Sequence, residues 1–186
     1  MGFRASCLYL GIEYYPPLEF TISDETSRKA LVQFGASDPL FFTEFFLSLI
    51  PYLNLQEYEI EVLKGPLFNR SVIISPEITN VTILENVLVD ADFYSQYSLA
   101  FATGGTSFWD RICANLKSLV IPYNDIQIQI FSQMPASSLY SFSSFEHLNA
   151  DISKFLNTTD QLSSLSFRVG SLIPHLISSS FSFSNE

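Results

Sequence analysis

From Lys29 onward the chain alternates short apolar runs with longer amphipathic ones. KALVQFG ends at Gly35, YEIEVLKG at Gly65 and SLAFATGG at Gly104-Gly105; NVTILEN, SLVIPY and SSLYSF are the other short runs. Each has the length and residue types of a strand that is covered on both faces. Between them, DPLFFTEFFLSLI predicts a helix with Pro39 at its first position. VDADFYSQY predicts a weak helical stretch, a helix is expected from about Thr106 to Leu116, and NDIQIQIFSQM predicts another. Two more helices, Phe145–Leu156 and Gln161–Ile177, are expected before a frayed SSSFSFSNE end.

Strands alternating with helices imply right-handed crossovers and a parallel sheet with helices on both faces, a Rossmann-like α/β fold. Such sheets take ligands beyond the carboxyl ends of their strands. Gly35, Gly65 and Gly104-Gly105 all fall at such ends and are expected to share one rim. Residues 1–26, with Pro16-Pro17 and no sustained period, read as a lead-in; 27–178 form the domain and 179–186 the tail.

The segment FATGGTSFWDRICANLKSLVIP concentrates the candidate chemistry. Trp109, Ile112, Cys113 and Leu116 follow helical spacing and predict one apolar stripe, with Ser107, Asp110 and Arg111 on the opposite side. The first amides of that helix would point at the glycine turn with partial positive charge, and residues without Cβ would let a phosphate approach. Asp110, one turn in, is placed to accept hydrogen bonds from a ribose diol. The same residues also fit a plain turn with a capping box from Ser107 to Asp110. Ser37 and Asp38 can border the cleft or cap the Pro39 helix.

Composition narrows the partners. With 186 residues, 47% hydrophobic and 18 of them phenylalanine, the chain can bury one core. A net charge of −10 argues against nucleic acid, which needs many Lys/Arg contacts, but not against one small phosphorylated ligand. Two cysteines, Cys7 and Cys113, give neither a disulfide framework nor metal-ligand spacing, so no metal and no cofactor are expected. No run is long enough to span a membrane, and the amino end lacks a signal-peptide pattern, which makes the cytoplasm the expected compartment. The acceptor triplets at Asn69, Asn80 and Asn157 are then chance matches.

LAFATGGTSFWDRICANLKSLVIPYNDIQ resembles the nucleotide-binding segment of GT-B type sugar-nucleotide enzymes. It is most similar to the UDP-sugar hydrolases of the pseudaminic acid pathway (UDP-2,4-diacetamido-2,4,6-trideoxy-altropyranose hydrolase-like) and to spore-coat polysaccharide proteins, which are related to the carboxyl halves of glycosyltransferase family 28. YLGIEYYPPL, LVQFGASDP and EVLKGPLFN resemble further stretches of that family in the same order, so the likeness covers about residues 8–134. It implies one half of a GT-B fold, a UDP-sugar ligand and a place in polysaccharide biosynthesis. Gly104, Gly105, Thr106 and Ser107 would face the diphosphate. Asp110 would stand where the family has a ribose-binding Glu, and Gln127 would match its Gln. Gly35 and Ser37 would border the cleft. Ile126 replaces the family's Asn, and Lys117 replaces a proline as a neutral surface change.

The family's preceding half carries a glycine-rich loop with a histidine, and these residues contain no counterpart. His147 and His175 lie far from any glycine turn, so no catalytic residue is assigned on this chain. The expectation is therefore the UDP-binding half of a nucleotide-sugar hydrolase or glycosyltransferase, working with a separate partner half. The alternative is a diverged, non-catalytic association module.

Overall fold

The computed structural model describes residues 21–90, 92–134 and 137–162. Six strands form one sheet: β1 (Lys29–Gln33), β2 (Glu59–Leu63), β3 (Val81–Leu84), β4 (Leu99–Thr103), β5 (Lys117–Ile121) and β6 (Tyr140–Phe142). All pairings are parallel, in the order β3-β2-β1-β4-β5-β6. The chain builds outward from β1 to β3, then returns to lay β4 on the other side of β1. The order thus reverses between β1 and β4, where Gln33 stands opposite Ala102. This is the doubly wound, Rossmann-like arrangement, and in sheets of this kind ligands are taken beyond the carboxyl ends of the strands where the order reverses.

Among the described residues four helices cover the sheet: α1 (Phe42–Leu49), α2 (Ser107–Cys113), α3 (Asp125–Ser132) and α4 (Leu148–Leu162). Alternation along the strands decides which helix each face receives. Ala30, Val32, Leu99, Phe101, Leu119 and Ile121 pack with Phe42, Phe46 and Leu47 of α1 and Ile152 and Phe155 of α4. Phe101 sits at the centre of that layer, with ring centroids 4.7 Å from Phe46 and 6.0 Å from Phe155. On the other face, Leu31 and Ala100 meet Phe93, Tyr94 and Tyr97, while Val120 meets Phe108 and Ile112 of α2 and Phe131 of α3.

Several expected elements take a different form. VDADFYSQY makes only a single 3-10 turn, Phe93–Gln96, because its aromatic residues are drawn into the core: Tyr94 and Tyr97 are buried. The Tyr97 hydroxyl donates to Glu61 at 2.5 Å, and Lys29 Nζ donates to the same carboxylate at 2.8 Å. This pairing accommodates a buried acid in mid-strand. The closing helix begins with a 3-10 turn at Phe145–His147 and runs as α4 to Leu162; most of the expected Gln161–Ile177 helix, and the 179–186 tail, lie outside the described residues. Residues 21–26 pack on the domain, with Ser23 N–H donating to the Ala114 carbonyl at 2.7 Å. Lys117, expected on the surface, is buried as the first residue of β5.

The helix expected to start at Pro39 starts at Phe42. Asp38 and Phe41 adopt left-handed φ values of 44° and 59°, and the Phe41 N–H reaches back to the Asp38 carbonyl at 3.3 Å. Pro39 therefore occupies the second position of a turn, which its fixed φ favours. The Asp38 carboxylate caps α1 from outside, accepting from the Phe42 and Thr43 amides at 2.9 Å each. Arg70 clamps this turn. It donates to Glu44 at 2.6 and 2.9 Å, to Asp38 at 2.9 Å and to the Ser37 carbonyl at 3.2 Å. Its guanidinium lies 4.4 Å from the Phe41 ring centroid and 4.1 Å from that of Phe68.

The hydrogen bond from Arg70 holds the Glu44 carboxyl below its ordinary value of 4.5. A depressed acid adds stability above its unfolded pKa and loses it as pH falls through the folded one. Wild-type stability in urea is therefore expected to drop below pH 4.5. Glu44→Gln should remove about 1 kcal/mol or less of that acid-side loss, with no difference in slope above pH 6; identical acid limbs for the two proteins would contradict the clamp.

Candidate functional site

The β1 and β4 ends carry two turns side by side. Gly35, at φ 88°, needs glycine for its backbone, and a Cβ built there would lie 3.6 Å from Thr103 Oγ1 at the end of β4. Gly65, after β2, packs against the first turn: a Cβ would come within 2.4 Å of the Gly35 carbonyl oxygen and the Ala36 backbone. The Leu67 N–H donates to the Ala36 carbonyl at 2.9 Å, which locks the two loops together. The glycines expected to share a rim do so.

Gly104 and Gly105 have different tasks. A Cβ on Gly104 would fall 1.9 Å from Cε2 of Phe131, so this position is glycine because α3 lays an aromatic ring on it. A Cβ on Gly105 would meet nothing within 4 Å. Thus the Gly104 side of the turn is closed by packing and the Gly105 side is open. Thr106, exposed and at helical φ and ψ, is the residue before α2, and its side chain makes no capping bond. The Gly105 carbonyl accepts from Phe108 N–H and the Thr106 carbonyl from Trp109 N–H, both at 3.0 Å.

The α2 face differs from the expected one. Its buried residues are Phe108, Arg111 and Ile112, while Trp109 and Cys113 are half-buried. The inward stripe is rotated by one residue and includes a cation that a polar–apolar reading puts outside. The helix is also shorter than expected, because Asn115 at φ 57° ends it. Burial raises the Cys113 thiol above its ordinary range, which keeps it protonated and unreactive.

Arg111 is 1% exposed. One terminal nitrogen donates to Gln33 Oε1 at 2.8 Å and the other to the Thr103 carbonyl at 2.8 Å. The residue thus joins the last residue of β1 to the last residue of β4, under the glycine turn. Its Nε is buried without a partner. Burial pulls the guanidinium down to about 10, and it remains charged at neutral pH. Gln33 Nε2 lies 3.5 Å from the Tyr94 hydroxyl. Burial raises Tyr94 above its ordinary value, so this hydroxyl stays neutral. The residue before α2 is Thr106 rather than Ser107, which is the helix's first residue.

The other expected site residues are spread around the rim. Asp110 is half-buried on α2. Gln127 is buried and serves its own loop: its Oε1 accepts from Tyr123 N–H at 3.2 Å, and its N–H donates to Asn124 Oδ1 at 2.9 Å. Ile126 is exposed beside it. Ser37 gives its carbonyl to Arg70, and Asp38 is consumed by capping α1. Sequence reading missed Arg111, Gln33 and Tyr94. Gln33 was visible as a polar residue inside an apolar strand, but Arg111 gave no such sign. His147 pairs its Nδ1 with Ser144 Oγ at 2.8 Å on the exposed side, and His175 lies outside the described residues. Among the described residues no group of three metal-ligating side chains converges, and no helix is long and apolar enough to cross a membrane. A cleft of about 480 Å³, lined by Arg28, Glu57, Tyr58 and Asn157 among others, opens at the opposite, amino end of the strands. Its Arg28–Glu57 pair at 3.9 Å is a loose surface contact, so the strand-order reversal is the better guide to a ligand.

No family model and no curated protein matches this chain. Solved structures do. A glycosyltransferase of kitacinnamycin aligns with a TM-score of 0.53 at 12% identity, over 92% of this chain and 44% of that one. The glycosyltransferase SnogD from Streptomyces nogalater aligns with a TM-score of 0.47 at 15% identity, over 91% of this chain and 48% of that one. The chain therefore spans less than half the length of either structure.

Gly104→Ala is expected to cost about 1–3 kcal/mol through overpacking against Phe131, while Gly105→Ala should change stability by less than about 0.5 kcal/mol. Thermal or urea unfolding of the two variants checks this, and equal losses would contradict the division of labour between the glycines. In fold, the chain is a Rossmann-like α/β domain of the kind found in GT-B glycosyltransferases.

Proposed function

We propose that the chain binds a UDP-sugar in the crevice between the Gly35 and Gly105 turns, as the nucleotide-binding half of a GT-B type hydrolase or glycosyltransferase. The observation that carries this reading is the side-by-side placement of those turns at the reversal of strand order, with Gly105 open to solvent. The ordered sequence resemblance to UDP-sugar enzymes supports it independently. The diphosphate would lie against Gly105 and Thr106, and Asp110 would meet the ribose. In the reaction, the bond between the anomeric carbon and the β-phosphate oxygen breaks as water or an acceptor hydroxyl attacks that carbon. UDP leaves with the bonding electron pair, and its charge is stabilised at the crevice. The attacking group's proton goes to a base contributed by a partner half.

A second reading, a diverged association module, has its own support. Asp38 is spent on helix capping, Gln127 is engaged with Tyr123, and Ile126 is exposed where the family has a polar contact. Leu40, Phe41 and Leu67 are exposed at the Gly35 and Gly65 turns, where a partner could bury them.

Isothermal titration separates the two readings. On the first, UDP binds at or below millimolar concentration, and Gly105→Val, which fills the open side of the turn, weakens binding at least tenfold without unfolding the chain. Absence of binding at millimolar UDP by the folded protein would leave only the second.

A further inference from the structure

We propose that Arg111 is the electrostatic positioning residue of the crevice: a buried guanidinium, without an ion pair among the described residues, that joins the ends of β1 and β4 and biases the space above them toward an anionic ligand. The proposal rests on the crevice being the ligand site, but not on the ligand being a nucleotide. It is carried by a contrast among the cations. Arg28 meets Glu57, Lys29 meets Glu59 and Glu61, Lys64 meets Glu85, and Arg70 meets Asp38 and Glu44. Lys117, also buried, starts β5 at the opposite, amino end of the strands; at the carboxyl end Arg111 is the most deeply buried of the described cations, yet its partners are the neutral Gln33 amide and Thr103 carbonyl, and its Nε has none. Among the described residues one carboxylate, that of Asp110, acts on it through space.

Burying a cation with no acid in direct contact costs stability, and reducing the cost would take one substitution: glutamate at position 33 would put a carboxylate on the guanidinium. In a chain of net charge −10, a cation kept at the end of the two central strands with only neutral hydrogen-bond partners is a fixed positive charge that a ligand there would feel. An anion beyond Gly105 would complete the pair, and it would feel the charge through a poorly screened interior. Gln33 then has a definite role, holding the guanidinium in place without neutralising it.

The experiment titrates inorganic pyrophosphate and UDP into the wild-type chain, Gln33→Glu, Arg111→Lys and Arg111→Met, with the melting temperature of each measured alongside. Wild type is expected to bind pyrophosphate. Gln33→Glu should melt at the same or a higher temperature yet bind pyrophosphate about tenfold more weakly, a loss of the size expected when one poorly screened charge is cancelled. Arg111→Lys should retain more binding than Arg111→Met, and this comparison carries the test if Gln33→Glu fails to fold. A merely structural arginine predicts unchanged binding in every variant that folds, and that result overturns the proposal. Binding of pyrophosphate but not UDP by wild type would keep the role of Arg111 and remove the nucleotide reading. Equal UDP binding by wild type and Gln33→Glu would do the reverse, and binding of neither ligand would remove both.

Discussion

The Arg111 bridge from Gln33 Oε1 to the Thr103 carbonyl is the contact on which the site depends. β1 and β4 are neighbours in the sheet but belong to opposite branches of its winding. Backbone hydrogen bonds hold their bodies together as far as Gln33 opposite Ala102, and beyond that pairing the two chains run into separate turns. A planar guanidinium with donors in a fixed fork can span that divergence, whereas a flexible ammonium could not fix both partners at once. The burial of Arg111 also explains the company it keeps, since its partner Gln33 faces the Tyr94 hydroxyl on the same side of the sheet.

Around that bridge, the rim is rigid on one flank and open at one point. Gly65 is pressed onto the Ala36 backbone, the Asp38 turn is gripped by Arg70, and Phe131 seals Gly104. Each contact fixes a loop that would otherwise move, and together they leave Gly105 and Thr106 as the unobstructed part of the turn. The left-handed conformations at Gly35, Asp38 and Phe41 fall within seven residues of one another on this flank. Strained backbone of this kind persists only where its surroundings over-determine it, and the Arg70 clamp supplies that constraint.

Much of the fold was legible because burial on both faces writes itself into a strand as an uninterrupted apolar run. LAFAT and LVI could be read so directly, and LVQF and EIEVL despite Gln33, Glu59 and Glu61; the glycines that follow three of these runs located the rim. The strand order and the position of the reversal depend on long-range pairing and could not be read from any one segment. The phase of α2 was misread because Arg111 is polar by type and buried by context, while Trp109 is apolar and only half-buried. Gly104 looked like a phosphate contact; that its missing Cβ makes room for Phe131, 27 positions later, is invisible locally. Asp38 was legible as a cap but not as a ligand of Arg70, a partner 32 residues away.

The most direct measurement is a crystal structure of the chain soaked with UDP. The account predicts diphosphate density against Gly105 and Thr106, above Arg111 and across from Gly35, with Gln33 still holding the guanidinium. Density confined to the cleft beside Arg28 and Asn157, at the amino end of the strands, would contradict it.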